Sequence, residues 1–346
     1  MKSDRKHLNR AVLWDPSGQD QRVRCNLCHH RCVIDDGDLG RCGVRKNLNG
    51  VLHSLNYDRV CAANPDPIEK KPLFHFQPGS QSFSVATVGC NFRCTFCQNW
   101  QISQAAIESG RIDGQAIAPE HLVEAAVRNR CKSIAYTYTE PTVFMELCRD
   151  CGRLAKERGL ANVFVSNGYM TREAVDFASD WLNGINVDLK AFSDDFYKKL
   201  CKARLQPVRD TIGYIAKETN IWLEITTLLV PGENDSEDEL KQLAGFIAEE
   251  AGPDVPWHIS RFHPQYKYQD SVPTPLASLE RAYEIGTSAG LRYVYLGNVP
   301  GSKTESTFCY QCGRMLIERM GYRIAANHLK DSKCPDCGTE IAGFEL

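Results

Sequence analysis

The sequence predicts an α/β protein: a partial (β/α)6 TIM-like barrel between two small cysteine-rich modules. Two observations lead there. From about residue 82 to 300, apolar runs of strand length alternate with helical patterns, the order that builds a parallel sheet. Eleven of the sixteen cysteines fall into three spaced groups, one before this region, one at its first strand and one after it. The expected domains are residues 1–80, a core barrel over 81–302, and a C-terminal module over 303–346.

Each element has its own signal. Candidate strands cover residues 83–88, 133–138, 162–165, 185–189, 222–229, 257–262 and 293–296. Pro119 opens a helical pattern, as proline does at a first helical position. Thr171 begins another. Ser236 with Glu239 three residues later fits a capping box. In such a barrel the chemistry gathers at the carboxyl ends of the strands.

Composition narrows the function. The chain has 346 residues and a net charge of −2, which argues against a nucleic-acid or anionic-membrane surface. No apolar run nears the roughly 20 residues of a membrane span. The stretch Met1 to His7 is polar, so a cytoplasmic location is expected. In a long chain of this kind, clustered cysteines point to metal thiolates rather than disulfides.

The central group is the most informative. Cys90, Cys94 and Cys97 are spaced CxxxCxxC directly after a candidate strand. Iron–sulfur clusters are normally completed by four cysteines. Three thiolates leave one iron of a [4Fe–4S] cubane open to another ligand. Three cysteines and a remote ligand on one zinc ion are the plainer alternative.

The stretch Gly89-Cys90-Asn91-Phe92-Arg93-Cys94-Thr95-Phe96-Cys97-Gln98-Asn99-Trp100 resembles the radical S-adenosylmethionine (SAM) superfamily, in its branch around pyruvate formate-lyase activating enzymes. Together with Pro67 to Phe76 it is similar to the radical SAM member of the AmmeMemoRadiSam system. The resemblance implies a cluster on Cys90, Cys94 and Cys97 that binds SAM and cleaves it to a 5′-deoxyadenosyl radical, which takes hydrogen from a substrate. It also implies a one-electron reducing partner such as flavodoxin or ferredoxin, and AMMECR1-like and Memo-like companion proteins. The substrate stays open between a small molecule and a protein.

The resemblance also suggests a cofactor pocket, with Phe96 beside the last cysteine. Thr139 and Glu140, at the end of the second strand, would meet the methionine amine. Here the sequence departs from the family's commoner glycine-glycine-glutamate wording but keeps the acid. Ser166 and Asn167 end the third strand and would bond the ribose or carboxylate, or simply form a turn. Asp188 and Lys190 are two apart, so they share a strand face. They would bind ribose and carboxylate, or form an internal ion pair. His263 and Asn298, at the ends of the sixth and seventh strands, complete the set. Glu69-Lys70-Lys71 reads as a solvated charge run or as steering for an anionic substrate.

Cys309, Cys312, Cys334 and Cys337 form paired CxxC-Gly knuckles that resemble a zinc ribbon or rubredoxin-like site. Cys25, Cys28, Cys32 and Cys42 have C-x2-C-x3-C-x9-C spacing, suited to zinc or to an auxiliary iron–sulfur cluster. Cys148 and Cys151 lie in a helical pattern and read as packing. The competing function is a non-enzymatic zinc-binding scaffold protein.

Overall fold

The computed structural model describes residues 8–18, 20–299 and 303–346. The polar start Met1 to His7, and Pro300 and Gly301 after the last strand, lie outside the described residues. Among the described residues no helix is long and apolar enough to cross a membrane. The chain forms two compact units. One holds the residues up to Asp66 with Ser82–Asn183; the other holds Pro67–Gln81 with Gly184–Leu346.

The first unit is built on three parallel strands: β1 (Gln81–Thr87), β2 (Ser133–Tyr136) and β3 (Ala161–Ser166). β2 sits centrally, with Ser133 opposite Ser82 on one side and Ala161 on the other. All four residues of β2 are buried, as expected of a parallel strand covered on both faces. The longer helices of this unit are α1 (Pro119–Arg128), α2 (Met145–Glu157) and α3 (Arg172–Ala178). Pro119 occupies the first turn of α1, and Leu122, Val123 and Ala126 form its buried stripe. Thr171 caps α3 by accepting from the Ala174 amide.

The core of this unit turns on three aromatic rings. Tyr136, Phe164 and Trp181 meet edge to face, the arrangement that ring quadrupoles favour. Gly152 of α2 lies under Trp181; a Cβ there would come within 2.5 Å of the indole. Cys148 and Cys151 are fully buried on the same helix, in the packing role expected of them.

The N-terminal residues fold onto this unit. The strand Arg59–Pro67 flanks β1 and pairs with Gln115–Ala116. Two small antiparallel sheets precede it, one of them containing Val23–Cys25. The cysteine loop docks on the turn after β3: the His29 amide donates to the Tyr169 carbonyl, and the Thr171 amide to Leu27.

The second unit carries four more parallel strands: β4 (Gly184–Asp188), β5 (Trp222–Leu229), β6 (Trp257–Arg261) and β7 (Val294–Gly297). Each pairs with the next in sequence order. Its longer helices are α4 (Leu205–Glu218), α5 (Glu237–Phe246) and α6 (Leu276–Ser288). All seven expected strands are therefore present.

Ser236 does cap α5, but the reciprocal half of the capping box is absent. Glu239 instead accepts from the Phe192 amide at 2.7 Å, a tertiary bond that a local motif cannot foresee. The C-terminal strands Thr307–Phe308, Met315–Met320 and Arg323–Asn327 form a small antiparallel sheet. It shares a core with Phe74, Tyr293 and Tyr295, so the last cysteine module is packed into its unit.

Candidate functional site

Cys90, Cys94 and Cys97 follow β1 in the first unit. Gly89 makes the turn into them at φ +109°, and a Cβ there would come 2.8 Å from Val44. That position needs glycine on both counts. The Cys90 thiol accepts from the Phe92 amide at 3.3 Å, and Cys97 Sγ meets Ser103 Oγ at 3.3 Å. Cys94 and Phe96 are buried. Burial pushes the Cys90 thiol far up, and the nearby Glu140 charge adds to it. A bound iron would reverse this by taking the proton's place.

The ends of β2 and β3 meet around Glu140. Its Oε1 accepts from the Thr142 amide and hydroxyl and from Ser166 Oγ, at 3.1, 2.6 and 2.8 Å. Its Oε2 accepts from the Asn167 amide at 2.8 Å. Glu140 thus caps the turn Pro141–Phe144, and only Oε2 has a single partner. Burial raises its pKa against the pull of these donors. Thr139 donates to the Thr87 carbonyl, which ties the end of β2 to β1.

Asn167 reaches the cysteine loop itself. Its Nδ2 donates to Asn91 Oδ1 at 2.7 Å and lies 3.8 Å from Cys90 Sγ. The half-buried Cys90 and the buried Glu140, Ser166 and Asn167 therefore form one constellation. Asn91 was missed by the sequence reading; its place inside the CxxxCxxC run, next to Cys90, was the available signal.

The remaining expected residues lie in the second unit. Asp188 and Lys190 form a part-buried ion pair, Nζ to Oδ2 at 2.9 Å. His263 is exposed. Asn298 adopts φ +60° and donates to Ser260 Oγ at 3.0 Å. Glu69 and Lys71 are buried, so the charge run they belong to is not solvated as a whole.

One cluster in this unit was only half seen. Glu224 accepts from the Phe74 and His75 amides, Trp222 Nε1 and His258 Nε2, the last at 2.6 Å. Glu224 lies on β5 and His258 on β6, and both meet the segment at Phe74, which is 150 residues from Glu224 along the chain. This network is fully internal and reads as structural.

The C-terminal cysteines converge. The Sγ atoms of Cys309, Cys312, Cys334 and Cys337 lie within 4.8 Å of one another. Gly313 and Gly338 have φ of +73° and +74°, and each amide bonds back to the first cysteine of its knuckle. Two equivalent knuckles facing one point are what a single tetrahedral ion requires.

The description "Radical SAM superfamily" matches residues 84–244, from within β1 to within α5, which include the Cys90 loop and Glu140. A relative from Methanocaldococcus jannaschii, itself uncharacterized, is 45% identical over 96% of this chain and 98% of its own length. The chain belongs to the radical SAM superfamily. A second M. jannaschii protein, provisionally named a glycyl-radical enzyme activating enzyme, is 27% identical over 56% of this chain and 71% of its own. A solved radical SAM methyltransferase from Sphaerobacter thermophilus has the same fold, with TM-score 0.50 and 17% identity over 69% of this chain and 71% of that one. This radical SAM protein is thus an enzyme whose superfamily works with a [4Fe–4S] cluster and SAM.

The donors present suit that cluster. Among the described residues Cys90, Cys94 and Cys97 are not part of any set of three or more ligand atoms within 4.8 Å, whereas the C-terminal four are. One zinc ion would draw thiolates to about 3.8 Å from one another, given Zn–S bonds near 2.3 Å. The corners of a cubane spread them.

Proposed function

We propose that Cys90, Cys94 and Cys97 hold a [4Fe–4S] cluster whose fourth iron takes SAM, in an enzyme that abstracts hydrogen from its substrate. The observation that carries this reading is the constellation at Cys90: the first of three thiols on one loop stands beside a buried carboxylate and amide, within the residues the superfamily shares. When bound, that cluster and SAM supply reductive cleavage of the sulfonium and a carbon radical able to break a C–H bond.

The chain's own residues do the rest. Asn167 donates toward the Cys90 sulfur, which lowers the charge the sulfur carries. Thr142, Ser166 and the Asn167 amide fix Glu140 so that the free side of Oε2 can take the cofactor's ammonium. Phe96 is buried beside the last thiol, and Thr139 holds the end of β2 to β1. The reading extends cofactor contacts to Asp188, Lys190, His263 and Asn298.

The likeness to a glycyl-radical activating protein favours that class of oxidoreductase chemistry, on a small molecule or a protein. It calls for a flavodoxin- or ferredoxin-type donor in the cytoplasm, and AMMECR1-like and Memo-like companions are proposed with it. Zinc is proposed at the C-terminal four cysteines, as a structural ion. The N-terminal four are a further metal site, zinc or iron–sulfur. A purely zinc-binding scaffold is not favoured, because the triad thiols are not gathered as a single ion requires.

Electron paramagnetic resonance of the reduced protein tests this. Adding SAM should shift the cluster signal, and Cys94→Ala should remove the SAM-sensitive signal. A signal indifferent to SAM in the unaltered protein would overturn the reading.

A further inference from the structure

Cys25, Cys28, Cys32 and Cys42 are arranged unlike the C-terminal four. In the C-terminal set, Sγ pairs touch at 3.6 Å. The N-terminal four instead line one small cavity. Among the described residues no three of them have sulfurs all within 4.8 Å. Thiols that surround a space, rather than meet at a point, suit a polynuclear cluster better than one ion.

The cavity wall makes a second, independent point. Arg45 and Asn91 also line it, and each has a buried donor with no acceptor: Arg45 Nε and Asn91 Nδ2. The rest of the Arg45 guanidinium is held by Glu146, with Nη2 to Oε2 at 2.7 Å. A buried donor left without a partner costs about 1–3 kcal/mol, so two on one cavity call for an acceptor inside it. Inorganic sulfides and cysteine thiolates are such acceptors for the Arg45 Nε and Asn91 Nδ2 donors.

We infer that Cys25, Cys28, Cys32 and Cys42 hold a second [4Fe–4S] cluster, closed by four thiolates and placed to pass electrons to the catalytic one. Asn91 lines its cavity and is covalently joined to Cys90. His30, on the same wall, has Nε2 2.9 Å from the Asn91 carbonyl. The two cluster sites are thus separated by one residue of a buried loop. A low-potential one-electron donor protein reduces the second cluster from 2+ to 1+. That electron then moves to the oxidised catalytic cluster and returns the second cluster to 2+. Only this relay rests on the reading of the triad given above; cluster binding stands apart from it.

The test uses the full chain, prepared anaerobically, with iron, zinc and acid-labile sulfide counted per chain. A Cys90→Ala, Cys94→Ala, Cys97→Ala triple variant should keep about half of the sulfide, with a Mössbauer spectrum of a four-cysteine cubane that SAM does not change. In an otherwise intact chain, Cys28→Ser with Cys42→Ser should lose the other half and keep the SAM-sensitive signal. Iron at the C-terminal knuckles brings no sulfide, so it does not confuse the count. A SAM-sensitive cluster in the unaltered chain, with zinc and no sulfide in the triple variant, overturns the inference alone. Sulfide kept in the triple variant, with no SAM-sensitive signal in the unaltered chain, overturns the catalytic reading alone. If the triple variant does not fold, an unchanged sulfide count in the Cys28 and Cys42 double variant overturns the inference.

Discussion

At the scale of single residues, the site depends on where the backbone is forced and where a proton is withheld. Gly89 combines a left-handed φ with close approach to Val44. Gly89→Ala should destabilise the loop by about 1–3 kcal/mol and lower iron content, measured by urea melts and iron assay. His75 shows the second kind of constraint. Its Nδ1 faces the Ala342 carbonyl at 2.7 Å and its Nε2 faces the Tyr295 hydroxyl at 2.6 Å, so the neutral ring donates to one and accepts from the other. Burial lowers its pKa to about 4, although Glu224 pulls the other way. The unfolded ring binds its proton near pH 6.5, so the unfolded state holds more protons between about pH 6.5 and 4. Stability should therefore fall as pH drops through that window. His75→Gln can donate and accept in the same places, and should flatten the dependence in urea titrations at pH 7 and pH 5. The sequence showed Cys90, Cys94, Cys97 and Glu140 because cluster ligands have fixed spacing and strand ends can be located. It did not show Asn91 as a bridge or His75 as a buried neutral ring, since both depend on partners far along the chain.

At the scale of elements, close approaches between helix and sheet set the packing. Gly152 on α2 and Gly286 on α6 each lie against a tryptophan, Trp181 and Trp257, with room for no Cβ. Gly152→Ala and Gly286→Ala should each cost about 1–3 kcal/mol, against the small gain alanine brings to an exposed helix. Thermal melts of the two variants check this. The knuckles of the C-terminal module behave as a unit of another kind. Cys309→Ser should take zinc from about one per chain to near none, because a structural site needs all four ligands. Strand positions were readable from apolar runs of strand length, and α1, α3 and α5 from their first turns. The capping box at Ser236 was readable only in part, because Glu239 is spent on the Phe192 amide. Local pattern fixes where an element starts; the partner of a long side chain is decided by tertiary packing.

At the scale of the whole molecule, the cysteines set the chemistry and the strand order sets its place. Three cysteine groups were visible as three modules. In the structure the first group packs with β1 to β3, and the last shares a core with β7. This merging is invisible to composition, because it arises from contacts such as His29 to Tyr169 that span much of the chain. The central claim is that the thiols after β1 bind the cluster that cleaves SAM. The most direct measurement is 5′-deoxyadenosine formed from SAM by the anaerobic protein with a strong one-electron reductant, beside its Cys94→Ala variant. The account predicts 5′-deoxyadenosine from the unaltered chain and none above background from the variant; equal yields from the two would contradict it.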